Sequence, residues 1–355
     1  MANTIEIAPA TPVNQEEWDD FVLSHPNASP YHLFAWGNAV TQAYGHKIYY
    51  LMAKQDGRLV GILPLVHLKL ACFVNELIAL PFCDVGYCLS ADSNVEQQLL
   101  TGAQRLSKQL KISNIQLRGQ LLYNDINSLP SFTQLESKKS RMLLYLPESS
   151  DALLKGFKPK LRSQVRKAEK NGVYFRWAGK DGIDSFYSIF CNNMRDLGSP
   201  VHSRKLFAAV MDQFGEKARI GLAEYEGKCI SAGLILSTKE QTSIPWASSL
   251  RKYNHLASNM LLYWNCLKYA VDSGKKLFDF GRSTENEGTF HFKSQWGAEP
   301  VPLVWYSSRP NCTQRSTTKM QIKLFQQESA AKIWKILPVP IANCVGPQLR
   351  KYINL

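Results

Sequence analysis

Two stretches of the sequence repeat one pattern and constrain the architecture more than any single motif. The stretch AKQDGRLVGILPL, from Ala53, aligns without a gap with AEYEGKCISAGLI, from Ala223. Each contains an apolar run, an acidic-Gly-basic triplet and a second apolar run, and Asp-Gly between alternating apolar residues is typical of a β-hairpin. Both halves continue with a further strand, a helix and a strand. The repeat therefore predicts two related mixed α/β domains with sheets flanked by helices.

The elements around the two hairpins predict the domain limits. The chain has 355 residues, more than one hydrophobic core usually serves, so two domains are expected. A strand at 141–146 is followed by a polar stretch, and we place the boundary there. The predicted domains are 1–150 and 151–306, followed by a basic helical tail, 307–355. An amphipathic helix is expected in that tail, with its apolar positions at Ile322, Phe325, Ile333 and Trp334.

Composition excludes several classes of protein. The N-terminal residues show neither a basic region nor an apolar region of a secretory signal, and no apolar run has membrane-spanning length. The eight cysteines are scattered, without a Cys-x-x-Cys pair or a histidine at ligand spacing. We therefore expect a cytoplasmic protein with reduced thiols and with no bound metal, flavin or nucleotide cofactor.

The net charge of +13 calls for an anionic partner. Candidates are tRNA, a phosphorylated precursor and the anionic inner face of a membrane, which the helical tail would touch peripherally unless it packs on the body or pairs with a second subunit. Seven cations lie within 155–170, among them Lys160, Arg162 and Arg166. Apolar residues at helical spacing predict a helix here with its cations turned outward, serving either a ligand or only solvent.

Residues 278–296 are read as a buried strand that ends in an exposed polar turn. Asp279 alternates with two phenylalanines, and Gly281, Arg282, Ser283 and Lys293 follow. Loops after rigid strands are where α/β proteins place reactive groups. An ordinary turn with solvated charges remains the alternative.

Several segments together resemble the FemAB-type peptidyltransferases. They are KLRSQVRKAEKNGV from Lys160, IPWASS from Ile244, Tyr253 with Asn254, NMLLYW from Asn259, FDFGRS from Phe278, Phe292 with Lys293, and QWGAEP from Gln295. The likeness runs from about Tyr31 through the tail. It is strongest to the FemAB-like proteins associated with exosortase and PEP-CTERM systems of exopolysaccharide-producing bacteria.

The resemblance implies two tandem GNAT-like (acyl-CoA N-acyltransferase-like) domains that form one cleft. Members of the family move an amino acid from aminoacyl-tRNA to an amine of a peptidoglycan precursor. For this chain it implies an anionic cell-envelope or exopolysaccharide precursor as acceptor. The implied co-substrate is aminoacyl-tRNA or acyl-CoA. The donor turn, 251–259, contains no glycine, which argues against close approach of a CoA pyrophosphate, whereas the lack of an inserted coiled-coil arm weakens the case for tRNA.

Acyl transfer to an amine needs a route for a proton and a stabiliser for the oxyanion. Asp279 is the candidate base, or it orients the amine, or it is structural and either pairs with Arg282 or caps the next turn. Arg282 and Lys293 are expected to hold a phosphate or carboxylate of the acceptor. Backbone N–H groups around Ala247 and Ser248 are candidates to polarise the acyl carbonyl.

The remaining candidates bind substrate or, alternatively, only build the fold. Asp84 faces the shared cleft or lies in a plain turn, and His202 moves a proton or is structural. The others are Arg195, Trp246, Ser248, Tyr253, Asn254, Asn259 and Ser283.

Three functions remain open at this point. The first is an aminoacyl or acyl transferase acting on an envelope or exopolysaccharide intermediate. The second is an acyl-CoA acetyltransferase with an altered phosphate loop. The third is a module without catalysis that binds an anionic glycan or RNA through residues 155–170.

Overall fold

A computed structural model of the chain describes residues 4–70, 73–122, 132–135, 137–308 and 328–354. These residues divide into two units. The first is built from the described parts of Met1–Lys138, Pro302–Lys323 and Tyr352–Leu355, and the second from those of Lys139–Val301 and Leu324–Lys351. Elements are numbered along the whole chain.

The first unit contains three α-helices and two sheets among its described residues. The helices are α1 (Gln15–Ser24), α2 (Phe34–Tyr44) and α3 (Ser93–Gln109). One sheet has the order β1-β3-β4-β7, and the other β2-β5-β6-β8-β17-β9. The strands are β1 (Ile5–Pro9), β2 (Lys47–Ile48), β3 (Leu51–Gln55), β4 (Arg58–Leu63), β5 (Val66–Leu70), β6 (Val74–Ile78), β7 (Leu89–Ser90), β8 (Asn114–Arg118), β9 (Thr133–Leu135) and β17 (Trp305–Ser307).

The second unit is one sheet covered by helices, with the strand order β11-β12-β13-β14-β15-β10-β16. Its strands are β10 (Lys139–Tyr145), β11 (Tyr174–Ala178), β12 (Ala218–Tyr225), β13 (Lys228–Ser237), β14 (Gln241–Ser249), β15 (Leu277–Thr284) and β16 (Glu299–Pro302). Its helices are α4 (Ser150–Gly156), α5 (Pro159–Lys170), α6 (Ile183–Leu197), α7 (Arg204–Phe214), α8 (Ser258–Asp272), α9 (Gly288–Ser294), α10 (Glu328–Ile336) and α11 (Val339–Arg350).

The predicted repeat is confirmed down to its backbone conformation. Asp56 and Gly57 have φ of 50° and 76°, and Glu226 and Gly227 have φ of 49° and 72°, as the two-residue turn that suits strand twist requires. Each hairpin also has an irregularity in register at equivalent positions, after Ala53 in the first and after Ala223 in the second. In both units, a strand that comes before the long helix pairs in parallel with the strand that follows the helix: β6 with β8, although the short β7 lies between β6 and α3, and β14 with β15.

Each unit has its own hydrophobic core. In the first, α3 places Leu99 and Ala103 against strand residues such as Leu63 and Leu117. In the second, Leu262 and Leu267 of α8 pack with Phe278 and Trp296. No helix in the described part of the chain is long and apolar enough to cross a membrane.

The units differ from the predicted limits in two places. Strand β10 precedes the expected boundary but pairs with β15, because its buried Met142 and Leu144 belong to the second core. Strand β17 lies around the expected start of the tail but pairs with β8 and β9 of the first unit. The chain therefore returns to the first unit after β16, and Ile322 and Phe325 of the predicted tail helix lie outside the described residues.

Candidate active site

The central feature of the second unit is an opening between two parallel strands. β14 and β15 pair over only three positions, from Gln241 opposite Leu277 to Ser243 opposite Asp279. The register between β13 and β14 then shifts, because Ile244 and Pro245 together oppose one residue of β13. A bulge bends its strand, and proline has no N–H to offer a neighbour. From Ile244 onward, β14 pairs only with β13 among the described strands, so a cleft opens on its other side.

The backbone of β14 presents alternate N–H groups to this cleft. Leu250 donates its N–H to the carbonyl of Ile230 on β13, at 2.9 Å. Because N–H direction alternates along a strand, Ser248 and Trp246 also point theirs toward β13. The N–H of Ala247 therefore points into the cleft. Of the two predicted positions for an oxyanion donor, the geometry favours Ala247.

Hydroxyl groups fix the end of β14 to the start of α8. Ser231 donates to Ser249 Oγ at 2.7 Å, and its oxygen lies 2.6 Å from Ser258 Oγ. Ser231 and Ser258 are buried. This chain of hydroxyls sets where β14 ends and where the donor turn begins.

Three of the predicted substrate-binding residues come together on the face of β14 that α6 covers. The Trp246 ring contacts His202 and Phe207, with centroids 6.2 Å and 4.9 Å away. Ser248 accepts a hydrogen bond from Asn193 Nδ2 at 3.1 Å. Asn193 is not among the predicted site residues, although it begins the segment that contains the predicted Arg195 and His202. That segment is helical as far as Leu197, and Gly198, at φ 78°, ends the helix.

His202 is held as a neutral, buried imidazole. Tyr187 donates its hydroxyl to the His202 carbonyl at 3.0 Å, and Arg350 Nε donates to Nε2 at 3.1 Å. Burial, and after it the charge of Arg350, lower the pKa of His202 well below its usual value. His202 thus ties α11 to the loop before α7, and its predicted part in proton transfer stays a prediction.

Stability should therefore depend on pH through His202. The folded pKa is depressed, so below about pH 6.5 the unfolded chain binds a proton that the folded chain does not. We expect this group alone to reduce the free energy of unfolding by about 1.4 kcal/mol for each pH unit below that point, down to the folded pKa. Denaturant unfolding of wild type and His202→Gln between neutral and acidic pH measures the difference. If the free energy of unfolding falls equally steeply with pH in the two proteins, His202 titrates alike in the folded and the unfolded chain.

Asp279 lies inside β15 and not at its tip. Its Oδ2 accepts from Arg141 Nε at 2.8 Å and from Ser243 Oγ at 3.5 Å, and its Oδ1 accepts from the N–H of Gly281 at 2.8 Å. Only 3% of the side chain is exposed. The ion-pair partner is therefore Arg141 on the neighbouring strand and not Arg282, whereas the bond from Gly281 agrees with the alternative that Asp279 caps the next turn. Whether Asp279 also acts as a base stays a prediction.

The predicted strand end near Gly281 is also wrong. Gly281 has φ 72°, and the β10–β15 register shifts between Leu143 opposite Asp279 and Arg141 opposite Arg282. Glycine accepts this left-handed conformation, so the strand absorbs a bulge and continues to Thr284. Ser283, expected in a loop, is consequently buried, and its hydroxyl has no hydrogen-bond partner in the described structure.

Lys293 braces this bulge from α9. Its ammonium donates to the carbonyls of Gly281 and Arg282, at 3.2 Å and 2.7 Å, and its side chain is buried. Arg282 is half-buried. The three residues predicted as catalytic, Asp279, Arg282 and Lys293, are therefore gathered around one bulge, with Asp279 and Lys293 stabilising its backbone.

Helix α5 presents the cationic face that the sequence predicted. Leu161, Val165 and Ala168 are buried, and the opposite side borders a groove of about 650 Å³. The groove is lined by Pro159, Arg162, Ser163, Arg166, Lys167, Lys170 and Asn171. Its four cations form no ion pair with any described carboxylate. We call this surface the α5 basic groove; the predicted Lys160 lies on the same helix, exposed, outside the groove lining.

The donor turn packs against the buried side of α5. The turn is a 3-10 helix, Arg251–Leu256, followed by Ala257 at φ 58°. This left-handed backbone conformation is one that the glycine of a phosphate loop would adopt without strain. Leu256 packs with Ala168 of α5 and Leu261 of α8 in one cluster, which Tyr253 borders. Arg251, Lys252 and the predicted Asn254 are exposed, and the predicted Asn259 is half-buried in the first turn of α8.

Two predicted residues lie elsewhere. Arg195 pairs with Asp196 at 2.7 Å and donates to the carbonyl of Leu337, so it supports the C-terminal helices. Asp84 is half-buried in a loop of the first unit. The buried side chain of Arg118 holds this loop, because its Nη1 donates to the carbonyl oxygen of Cys83 at 2.6 Å. Their predicted contact with substrate stays a prediction.

Comparison with known proteins agrees with this geometry. Residues 155–294 match the family model described as an acetyltransferase (GNAT) domain. No curated protein matches the chain significantly. Among solved structures, FemX is similar with a TM-score of 0.69 at 15% identity, covering 91% of this chain and all of FemX.

Two further solved structures share the architecture. The C-terminal domain of a putative lysylphosphatidylglycerol synthetase from Agrobacterium fabrum has a TM-score of 0.57 at 10% identity, with 84% of this chain and 92% of that one covered. A tandem GNAT protein from the clavulanic acid biosynthesis pathway has a TM-score of 0.55 at 13% identity, with 87% and 100% covered. The predicted fold class is confirmed: the chain consists of tandem GNAT-like domains of mixed α/β structure.

Proposed function

We propose that this chain is an aminoacyltransferase that moves an aminoacyl group from a tRNA ester to an amine of an anionic envelope or exopolysaccharide precursor. The observation that carries the proposal is the cleft between β14 and β15, with the Ala247 N–H directed into it. The match of residues 155–294 to an acetyltransferase model and the likeness to FemX support a GNAT-type acyl transfer.

The reaction needs the two substrates, for which the cleft has room, and a hydrogen-bond donor, which the cleft supplies. The lone pair of the acceptor amine attacks the ester carbonyl carbon, a C–N bond forms, and the C–O bond to the tRNA ribose breaks. The ribose oxygen leaves with a proton, and the amine loses one, so the step is balanced without a redox partner. The Ala247 N–H stabilises the negative charge that develops on the carbonyl oxygen.

The charge around the donor turn favours tRNA over CoA. Arg251 and Lys252 are exposed and add to the four cations of the α5 basic groove, which is more positive charge than one pyrophosphate needs. The turn itself has no glycine, and its 3-10 helix ends in Ala257. The resemblance of the sequence to the exosortase-associated subgroup motivates the exopolysaccharide acceptor.

An acyl-CoA donor is the second candidate, and the conformation of Ala257 favours it. A left-handed residue at the start of α8 reproduces the backbone of a phosphate-binding turn without the glycine. Saturable binding of an acyl-CoA, with no preference for charged over uncharged tRNA, would select this candidate.

Replacing Ala247 by proline tests the proposed function. Proline removes the N–H that faces the cleft and leaves the hydrogen bonds to β13 intact, so the strand should tolerate it. We expect amide formation from labelled aminoacyl-tRNA, with an envelope-precursor extract as acceptor, to fall about 10²–10³-fold.

The matched control is Ala247→Ser, which keeps the N–H and should retain most activity. Thermal melting of both variants checks that they fold alike. Equal activity of the two variants would refute the oxyanion role of Ala247, and wild type that transfers from neither aminoacyl-tRNA nor acyl-CoA would refute the transferase itself.

A further inference from the structure

The two C-terminal helices of the second unit carry apolar side chains on the faces that point away from the protein. On α11, the exposed positions are Pro340, Ile341, Cys344, Val345, Gln348 and Leu349. Their spacing of three and four residues places them on one stripe of the helix. A helix that meets only water shows the reverse pattern, with its polar residues outside.

Helix α10 continues the same pattern. Ile333 and Ile336 are 60% and 80% exposed, whereas Trp334 between them is buried. Lys332 and Lys335 alternate with the two isoleucines and are also exposed. We call Ile333, Ile336, Ile341, Val345 and Leu349 the C-terminal apolar patch.

The inner faces of both helices are fixed against α6, so the patch cannot simply turn inward. A Cβ on Gly346 would meet the N–H of Val201 at 3.0 Å and the Trp334 ring at 3.4 Å. A Cβ on Gly198, just after α6, would lie 2.8 Å from the Ala331 carbonyl. These approaches need small residues and leave no room for an isoleucine. Leu197, 53% exposed, lies next to this contact and extends the patch.

The charge around the patch identifies its occupant. Glu328 stands at the start of α10; after it, up to the last printed residue, there is no aspartate or glutamate, whereas Lys332, Lys335, Arg350 and Lys351 are cations. A second copy of the chain in a symmetric dimer would bring this cationic surface against itself. An anionic bilayer offers both the negative charge and the apolar interior that such a surface fits.

We propose that α10 and α11 form an interfacial membrane-docking surface that inserts the C-terminal apolar patch into an anionic lipid bilayer. The helices would lie in the plane of the interface, with Ile336 and Val345 among the acyl chains and the lysines at the headgroups. The inference is independent of the reaction proposed above, since none of these side chains lies at the β14–β15 cleft. It would bring the enzyme to acceptors that are attached to lipid.

Sedimentation of the full-length protein with vesicles tests the proposal. We expect binding to vesicles of phosphatidylcholine mixed with phosphatidylglycerol, and little binding to phosphatidylcholine alone. In the variant with Ile336→Ser and Val345→Ser, the affinity for the mixed vesicles should fall by at least about tenfold, because two apolar side chains that insert into the bilayer are lost. The variant Lys332→Gln with Lys335→Gln should lose the preference for anionic lipid.

The control is Val13→Ser with Val301→Ser, which removes from other surfaces two valines that are 91% and 46% exposed, against 80% and 42% for Ile336 and Val345, and it should bind like wild type. All variants change exposed positions, and identical melting curves show that they fold alike. Equal vesicle binding by wild type and the Ile336 and Val345 variant would overturn the proposal. A second result would also overturn it: analytical ultracentrifugation shows that wild type is a dimer and that the Ile336 and Val345 variant is a monomer, while neither protein binds vesicles.

Discussion

Replacing Arg141 by methionine is expected to lower the free energy of unfolding of the second unit by about 3–5 kcal/mol. The Arg141–Asp279 pair is almost wholly buried, with side-chain exposures of 13% and 3%. Removing only the guanidinium leaves a carboxylate inside the sheet, where Ser243 and the Gly281 N–H alone cannot replace the lost charge partner. Denaturant unfolding, followed by circular dichroism, measures the change.

A double-mutant cycle separates the ion pair from other effects of the substitution. Asp279→Asn keeps an acceptor for Gly281, and combined with Arg141→Met it removes both charges. We expect the double variant to be more stable than Arg141→Met alone, because no unpaired charge remains buried. If the two losses simply added, Arg141 would stabilise the strands by packing and not by neutralising Asp279.

The same variants address the predicted catalytic role of Asp279. If the carboxylate is structural, replacing it should lower activity only in proportion to the loss of folded protein. If it is a base, replacing it should lower turnover even in protein that is fully folded. Activity of Asp279→Asn under conditions where melting shows a folded protein distinguishes the two roles.

The parts of the fold that depend on neighbouring residues were predictable from the sequence. The Asp56-Gly57 and Glu226-Gly227 turns need only local chemistry. The buried face of α5 followed from helical spacing. These features formed where predicted because a turn residue or an apolar repeat acts over a few positions.

The missed features depend on distant partners or on ambiguous residues. β17 is three residues long, and its place between β8 and β9 leaves no signal in its own sequence. One helix is expected in the tail, whereas the described part contains two: α10 ends at Ile336, and Pro338 is the cap residue from which α11 starts, since proline suits the beginning of a helix. Gly281 was read as a turn because left-handed glycine serves a bulge equally well.

The candidate site likewise contains residues that could be predicted from nearby sequence and residues that depend on distant partners. The cations of α5 are close in sequence and share one helix, so their common face was visible. Arg141 and Asp279 belong to different strands and meet only through the β10–β15 pairing. In β10, Arg141 comes directly before Met142, Leu143 and Leu144, and this apolar run is the single hint that Arg141 lies inside a sheet. Asn193 gave no such hint, because its partner Ser248 lies on β14.

Neutralising the α5 basic groove is expected to have the largest effect on donor binding. In the variant with Arg162, Arg166 and Lys170 all changed to Gln, the affinity for aminoacyl-tRNA should fall by roughly two orders of magnitude at low salt. The plot of log affinity against log salt concentration should become shallower by about three, since about three fewer phosphate contacts release counterions. Filter binding at several salt concentrations measures both quantities.

The control variant changes Lys205, Lys217 and Lys239, exposed cations elsewhere in the second unit, to Gln. Both variants lose the same net charge, so a loss of affinity confined to the α5 variant places the tRNA contact in the groove. An equal loss in the two would mean that general charge attracts the RNA. If neither variant changes tRNA binding and the α5 variant instead weakens acyl-CoA, the groove serves a pyrophosphate and the donor is a thioester, because the same cations would then neutralise the smaller anion.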